Sequence, residues 1–333
     1  MINRTLHLLK RFCTMGPWQA SKLLYARAVK KKFIAHWCNK QHQFTGLKQS
    51  VNTPLTVTIL GFGPHTFATL DAIDWHTDFF IPSSPSDWRT SFFANVTIPT
   101  NIPTDLMQPR QADIKVPWEL SRMHCLQKQP CEVFVSILAR WMQHNPFPYG
   151  VNWLNPMEVA IRAINIITAL QQHKNSLTPN ETTAIMDLLA YHALFIEHCW
   201  EVSDRPNNHY LADLLGYLYL CCNLNIKKYY RNRHRAWQWF LDGLENQLLP
   251  DGTDYEGSTA YHRLVTEMVD LAITCADQHN LPITATLLEA QHRMHQFLAD
   301  CTDHGGNLIL IGDNDSGSIL PPQEPCPPSS VPE

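Results

Sequence analysis

The sequence predicts an all-α fold, a succession of antiparallel helix hairpins behind an irregular basic N-terminal region. Three observations predict it. From about Pro117 to Asp300 apolar residues recur at helical spacing, with no alternating strand pattern between them. Two helix starts are signed by a cap residue, a proline and a glutamate in series: Asn155-Pro156-Met157-Glu158 and Thr178-Pro179-Asn180-Glu181. The linkers between periodic stretches are short, so neighbouring helices run antiparallel. Hairpins in series make either a bundle or a ring of paired helices, an α/α toroid, and periodicity does not choose between them. With 333 residues, 44% of them hydrophobic, the chain can bury one large core.

The first region, residues 1–70, is defined by charge. It holds Arg4, Lys10, Arg11, Lys22, Arg27, Lys30, Lys31, Lys32, Lys40 and Lys48, and no acid precedes Asp71. The net charge of −4 therefore conceals a basic arm on an acidic remainder. Such an arm meets a membrane surface or an acidic polysaccharide, or simply covers the acidic remainder of its own chain; no nucleic acid partner is expected. Lys10 and Arg11 break the apolar run that a secretory signal needs, and no stretch approaches 18 uninterrupted apolar residues. A cytoplasmic or membrane-peripheral location is the expectation, and the composition also suits a transit peptide.

Residues 54–64 read as a strand entering a glycine-rich turn. GFGPHT invites a dinucleotide-binding reading, but Thr66 stands at the third glycine position and Pro64 lacks an amide. Residues 81–112 are rich in proline and read as loop. Beyond the two signed starts, helices are expected at about 181–199, 208–222, 229–248, 258–279 and 284–300. Residues 321–333 form a Pro-rich tail read as disordered. The main domain thus spans 71–320.

Ten cysteines include no CxxC pair, and their scatter fits reduced, mostly buried thiols. His192 and His198 are six apart and share no helix face. No metal and no cofactor are expected in this chain. Ten tryptophans are many, and most are expected in the core, although exposed rings also suit sugar binding.

Three polar clusters interrupt the apolar helices. Asp204 to His209 precede a helix, whose N-terminus favours an anion; Asn208 either serves that role or only caps the helix. Asp251 to Arg263 run from a polar loop into a helix, with Tyr261 and His262 in its first turn. A phenol beside Arg263 or a protonated His262 is suited to proton transfer, or else its ring is merely packed. Gly312 to Gly317 lack the length and terminal Glu of an EF-hand and read as a turn that orients other residues.

Six segments in order resemble the helical domain of the heparinase II/III and alginate lyase families: IDWHTDF (73–79), DIKVPWELSR (113–122), NPMEVAIRAIN (155–165), NNHYLADLLGYLYL (207–220), DGTDYEGSTAYHRLVTEM (251–268) and IGDNDSG (311–317). The resemblance implies an incomplete α/α toroid and β-elimination on a uronic-acid-containing glycan, with an acidic polysaccharide as substrate. It assigns neutralisation of the substrate carboxylate to Asn208 and His209, and proton transfer to Tyr261. Trp118, Glu119, Arg122, Glu256, His262 and Arg263 fall in matching motifs as cleft or supporting residues. Family members continue into a C-terminal β-sandwich that is absent from this sequence, so a separate β-sandwich half is an expected partner and activity is expected to be weak or lost. Two other readings stay open. One is a non-catalytic glycan-binding or capsule-pathway module. The other is an α/α-toroid glycoside hydrolase pairing Glu256 with Asp204 or Asp313.

Overall fold

Asn155 and Thr178 both stand where the sequence puts helix caps, and they divide the labour of their motifs differently. The computed structural model describes residues 17–38, 47, 55–59, 63–67, 115–203, 205–314 and 317–321. Helix α1 spans Pro17–Cys38, a hairpin pairs β1 (Leu55–Ile59) with β2 (Gly63–Phe67), and α2 spans Lys115–Ser121. Then follow α3 (Cys131–His144), α4 (Pro156–His173), α5 (Pro179–Cys199), α6 (Asn208–Asn223), α7 (Lys227–Gln247), α8 (Thr259–Gln278) and α9 (Ala285–Asp300). The segment 73–79, the proline-rich stretch 81–112, Asp204 and residues 322–333 of the tail lie outside the described residues.

At the start of α5 the full reciprocal cap forms: Glu181 N–H donates to Thr178 Oγ1, and Thr178 N–H donates to Glu181 Oε2 at 2.8 Å. At α4 only half of it forms. Asn155 accepts from Met157 N–H at 2.8 Å, but Glu158 does not reach back. Its carboxylate is drawn instead to Arg122 on the neighbouring segment, because a buried carboxylate gains more from a guanidinium fork than from one amide. The Asn155–Glu158 spacing predicts the same reciprocal cap as at Thr178, and the structure corrects this: Asn155 caps alone.

Helices α4 and α6 form the centre, and both are apolar nearly all round, as fully buried helices are. Helix α6 packs on α4, α5, α7 and α8. Its approach to α4 is close because residue 216 is glycine: a Cβ there would sit 2.5 Å from Ala160 Cβ. Asn208 at the start of α6 meets Glu256 just before α8, and Cys222 meets Cys275 towards their other ends, so α6 and α8 run the same way and start at the same end. Arg162 is buried within this core, its guanidinium 4.4 Å from the Trp141 ring centroid and donating to His192 Nε2 and Asn152 O. Burial, partly offset by Glu158, pulls its pKa down to about 9. Trp141, Trp153 and Trp237 are core residues, while Trp37, Trp118 and Trp200 are half-buried and Trp239 is exposed.

Helix α1 docks on α5 through Leu23, Phe33 and Ile34, with the Phe33 ring stacked 4.6 Å from His198. Its Lys22, Arg27, Lys31 and Lys32 are exposed, while Lys30 turns inward and donates to Leu154 O. Strand β1 pairs with β2 antiparallel, with Leu55 opposite Phe67. Dinucleotide binding needs a helix N-terminus at that place, so the hairpin removes that reading. Among the described residues no helix is long and apolar enough to cross a membrane.

Candidate active site

The start of α6 separates two roles that the sequence leaves merged. Asn207, not Asn208, is the cap: its side chain accepts from Tyr210 N–H. Asn208 is thereby released, and its Nδ2 lies 3.0 and 2.9 Å from the two oxygens of Glu256. A carboxylate only accepts, so this contact fixes which end of the amide faces it. A nitrogen almost equidistant from both oxygens spends one hydrogen on them and keeps a second donor. Glu256 Oε1 also accepts the Asn208 backbone N–H at 2.8 Å, which places an anion at the positive end of the helix.

The loop that carries Glu256 is held from behind. Gln247 Nε2 donates to Asp254 Oδ1 and to Glu256 Oε1, and Glu256 N–H donates to Asp254 Oδ1. Burial raises the Asp254 pKa to about 6, against the Glu256 amide and with the help of the Glu256 charge. His262 Nδ1 accepts from Asp254 N–H at 3.1 Å, and Nε2 donates to Met294 O at 3.1 Å. His262 is buried and its pKa is lowered, chiefly by that burial, so it serves as a neutral brace of the loop. The protonated imidazole beside Tyr261 that the sequence allows is not what this environment favours.

Beside Asn208, His209 opens on a cavity of about 230 Å³ lined also by Trp118, Glu119, Arg122, Glu158 and Gly317. Arg122 grips Glu158 with two bonds of 2.8 Å and reaches Glu119 with its remaining nitrogen. Burial would raise the Glu158 pKa, but Arg122 outweighs it and the net shift is downward. His209 Nδ1 lies 3.1 Å from Glu201 Oε1. Burial opposes its charge, yet Glu201, Asp213 and Glu158 together raise its pKa to about 9. His209 is therefore a cation at neutral pH. A second cavity of about 290 Å³ shares Trp118 and Asn155 and is bounded by Lys30, Arg27 and Trp200.

Tyr261 stands in the first turn of α8, half-buried, and its hydroxyl donates to Asp313 Oδ2 at 3.1 Å. Asp313 belongs to the turn read as an orienting element, and the described part of that turn packs on the start of α8. Ser258 Oγ donates to Asp313 O, Thr259 N–H donates to Ile311 O, and Arg263 donates to Gly317 O. Gly312 has φ +79°, and a Cβ there would lie 2.6 Å from Gly257 O, so both conformation and space demand glycine.

The structure thus gathers Trp118, Glu119, Arg122 and His209 around one cavity, with Arg263 holding its Gly317 edge. Asn208 adjoins them and is paired with Glu256. Tyr261 does not line that cavity; its hydroxyl is bonded to Asp313, and His262 braces the Glu256 loop from behind. Glu158, Glu201, Gln247 and Asp254 also build the site. Glu158 was disguised as a cap partner in the sequence, and Gln247, inside an ordinary amphipathic helix, gave no signal.

Residues 108–301 match the family model described as the heparinase II/III N-terminus. Among solved structures, heparan sulfate lyase HepC from Pedobacter heparinus aligns at 19% identity and a TM-score of 0.44, covering 61% of this chain and 34% of that one. A mutant of the same lyase aligns at 16% and 0.47, covering 85% and 45%. The heparinase III BT4657 gene product aligns at 18% and 0.41, covering 70% and 40%. The chain spans less than half the length of each. No curated protein matches it.

Proposed function

The chain belongs to the heparinase II/III family through residues 108–301, and from that premise we propose that it carries the helical half of a polysaccharide lyase that β-eliminates a uronic-acid-containing glycan, heparan sulfate in the first instance. The observation that carries this reading is the adjacent pair at the start of α6. Asn208 has its amide aimed by Glu256, and His209 is held as a cation beside the cavity.

In β-elimination the C5 proton leaves, the C4–O bond breaks, a C4=C5 double bond forms and the departing oxygen takes a proton. Charge builds on the uronate carboxylate as the C5 proton leaves, so fixed donors at that carboxylate lower the barrier most. The second Asn208 hydrogen and His209 Nε2–H, which has no partner among the described residues, supply such donors. Tyr261 supplies a hydroxyl for proton transfer, and Asp313 orients it. The carboxylates lining the cavity are each engaged by Arg122, which limits their repulsion of an anionic chain. Trp118, whose indole N–H donates to Val151 O at 2.9 Å, offers a fixed ring at the junction of the two cavities.

The purified chain is to be incubated with heparan sulfate, alginate and hyaluronan while absorbance of the unsaturated uronate is followed. Growth that disappears in Asn208→Ala and in Tyr261→Phe supports the lyase. Binding without absorbance on every polymer overturns it in favour of a glycan-binding module. New reducing ends without absorbance overturn it in favour of a hydrolase.

A further inference from the structure

At the far ends of α6 and α8 the fold assembles three metal-binding side chains, of which Cys222 stands 53 residues or more before the other two in the sequence. Cys275 and His279 are one helical turn apart at the end of α8 and so share a face. Cys222 comes from the last turn of α6. One donor atom from each lies within 4.8 Å of the other two. Both cysteines are buried, and they hydrogen-bond each other, while His279 is half-buried and leaves a path from solvent. The absence of CxxC spacing conceals this set, because two of the donors are brought together only by the packing of α8 on α6.

We propose that Cys222, Cys275 and His279 form a three-ligand site for zinc, a borderline-soft d¹⁰ cation, with the fourth position left open to solvent. Two sulfurs and one imidazole are the donor types that zinc selects, and a solvent molecule completes a tetrahedron. With bonds of about 2.3 Å to sulfur and 2.0 Å to nitrogen, the edges of that tetrahedron are roughly 3.5–3.8 Å. From separations of at most 4.8 Å, the donors therefore need to close in by about 1.3 Å or less. On binding, each thiol releases its proton to solvent as its Zn–S bond forms, and the imidazole gives a lone pair; no oxidant or reductant takes part.

The site is remote from the lyase residues. Cys222 lies 14 residues along α6 from Asn208, and Cys275 lies 14 residues along α8 from Tyr261. At 1.5 Å per residue both spans are about 21 Å. Zinc here would clamp the back of the two helices whose front ends carry the candidate catalytic groups, and it takes no part in elimination.

The test uses the full chain, reduced, stripped with chelator and reloaded with zinc alone. Bound zinc is counted after desalting, and cobalt(II) is used separately to look for thiolate-to-metal charge-transfer absorbance. One zinc per chain and a charge-transfer band are expected. Cys222→Ser and His279→Ala should weaken zinc binding by more than the roughly 10- to 100-fold typical of removing a group that only supports a ligand. Cys301→Ser, half-buried and outside the cluster, should leave it unchanged. Should Cys222→Ser fail to fold, the wild-type cobalt spectrum and the half-buried His279→Ala still decide. Absence of zinc and of the charge-transfer band from the reduced wild type overturns the proposal. Equal binding in His279→Ala does so too, as does a Cys222–Cys275 disulfide whose reduction restores no metal binding. Metal content is independent of glycan turnover, so failure of the lyase reading leaves this outcome standing.

Discussion

Replacing Arg122 with methionine isolates the strongest electrostatic contact of the cavity. The side chains of Arg122 and Glu158 are only 8% and 4% exposed, and two 2.8 Å bonds join them. Removing one partner of such a pair leaves a buried charge without compensation, which costs about 3–5 kcal/mol. Arg162 also acts on Glu158 and softens the loss, which puts the expectation near the lower bound. Against a total stability of about 5–15 kcal/mol, this moves a urea midpoint far outside error. The loss depends on pH. In the native protein the Glu158 pKa is depressed, so its contribution is present above the unfolded value of about 4.3 and disappears as pH falls through the folded one. In the variant burial is opposed only by His209 and Arg162, so that pKa rises. The destabilisation should therefore be larger at pH 8 than at pH 5. Arg122→Met combined with Glu158→Leu should recover much of it, because two apolar side chains leave no buried charge. A difference below about 1 kcal/mol at pH 8, or one equal at both pH values, refutes the reasoning.

Three further expectations follow from the same geometry. His209 should titrate at about 9 by NMR, and its ion pair should stabilise the fold fully below the ordinary imidazole value and fade as pH rises through about 9; a midpoint at the ordinary value would falsify the Glu201 assignment. Glu256→Gln should lower stability by about 1.5–3 kcal/mol, since charge-assisted bonds from Asn208 are lost, and should slow uronate elimination; unchanged turnover would mean that Glu256 does not aim the amide. Thr178→Ala should cost about 1 kcal/mol in thermal or urea unfolding, and no measurable loss would show that the box at α5 is not a stabilising cap.

Much of the helical frame was legible because its signals are local. Pro156 and Pro179 mark first turns, and apolar spacing fixes the extent of α4 to α9 within a few residues. The site was legible only as neighbourhoods. Asn207 and Asn208 are chemically identical in sequence, and only packing shows that the first caps α6 while the second meets Glu256 across 48 positions. Glu158 looked like a cap because local spacing favours one, yet Arg122, 36 residues earlier, offers a stronger partner. His262 sits next to Tyr261 in the chain, but successive residues on a helix point about 100° apart, and burial sends its ring inward to Met294. For Asn208, Glu158 and His262 the contact that escaped the sequence has its partner a whole helix or more away, whereas Gln247 escaped although its partners Asp254 and Glu256 lie only 7 and 9 positions on.

Gly216 offers a handle on the site without touching it. The α4–α6 crossing there is as tight as a backbone against a methyl group allows. Glu158 lies two residues before Ala160 on one helix, and His209 lies seven before Gly216 on the other. The close approach of the two helices that carry these cavity residues is thus permitted by a residue with no functional group, acting as a shim. Graded increases in bulk at position 216, balanced by Ala160→Gly, would pry the two helices apart in small steps. That offers a route to bulkier glycans that leaves every polar residue of the cavity in its native identity.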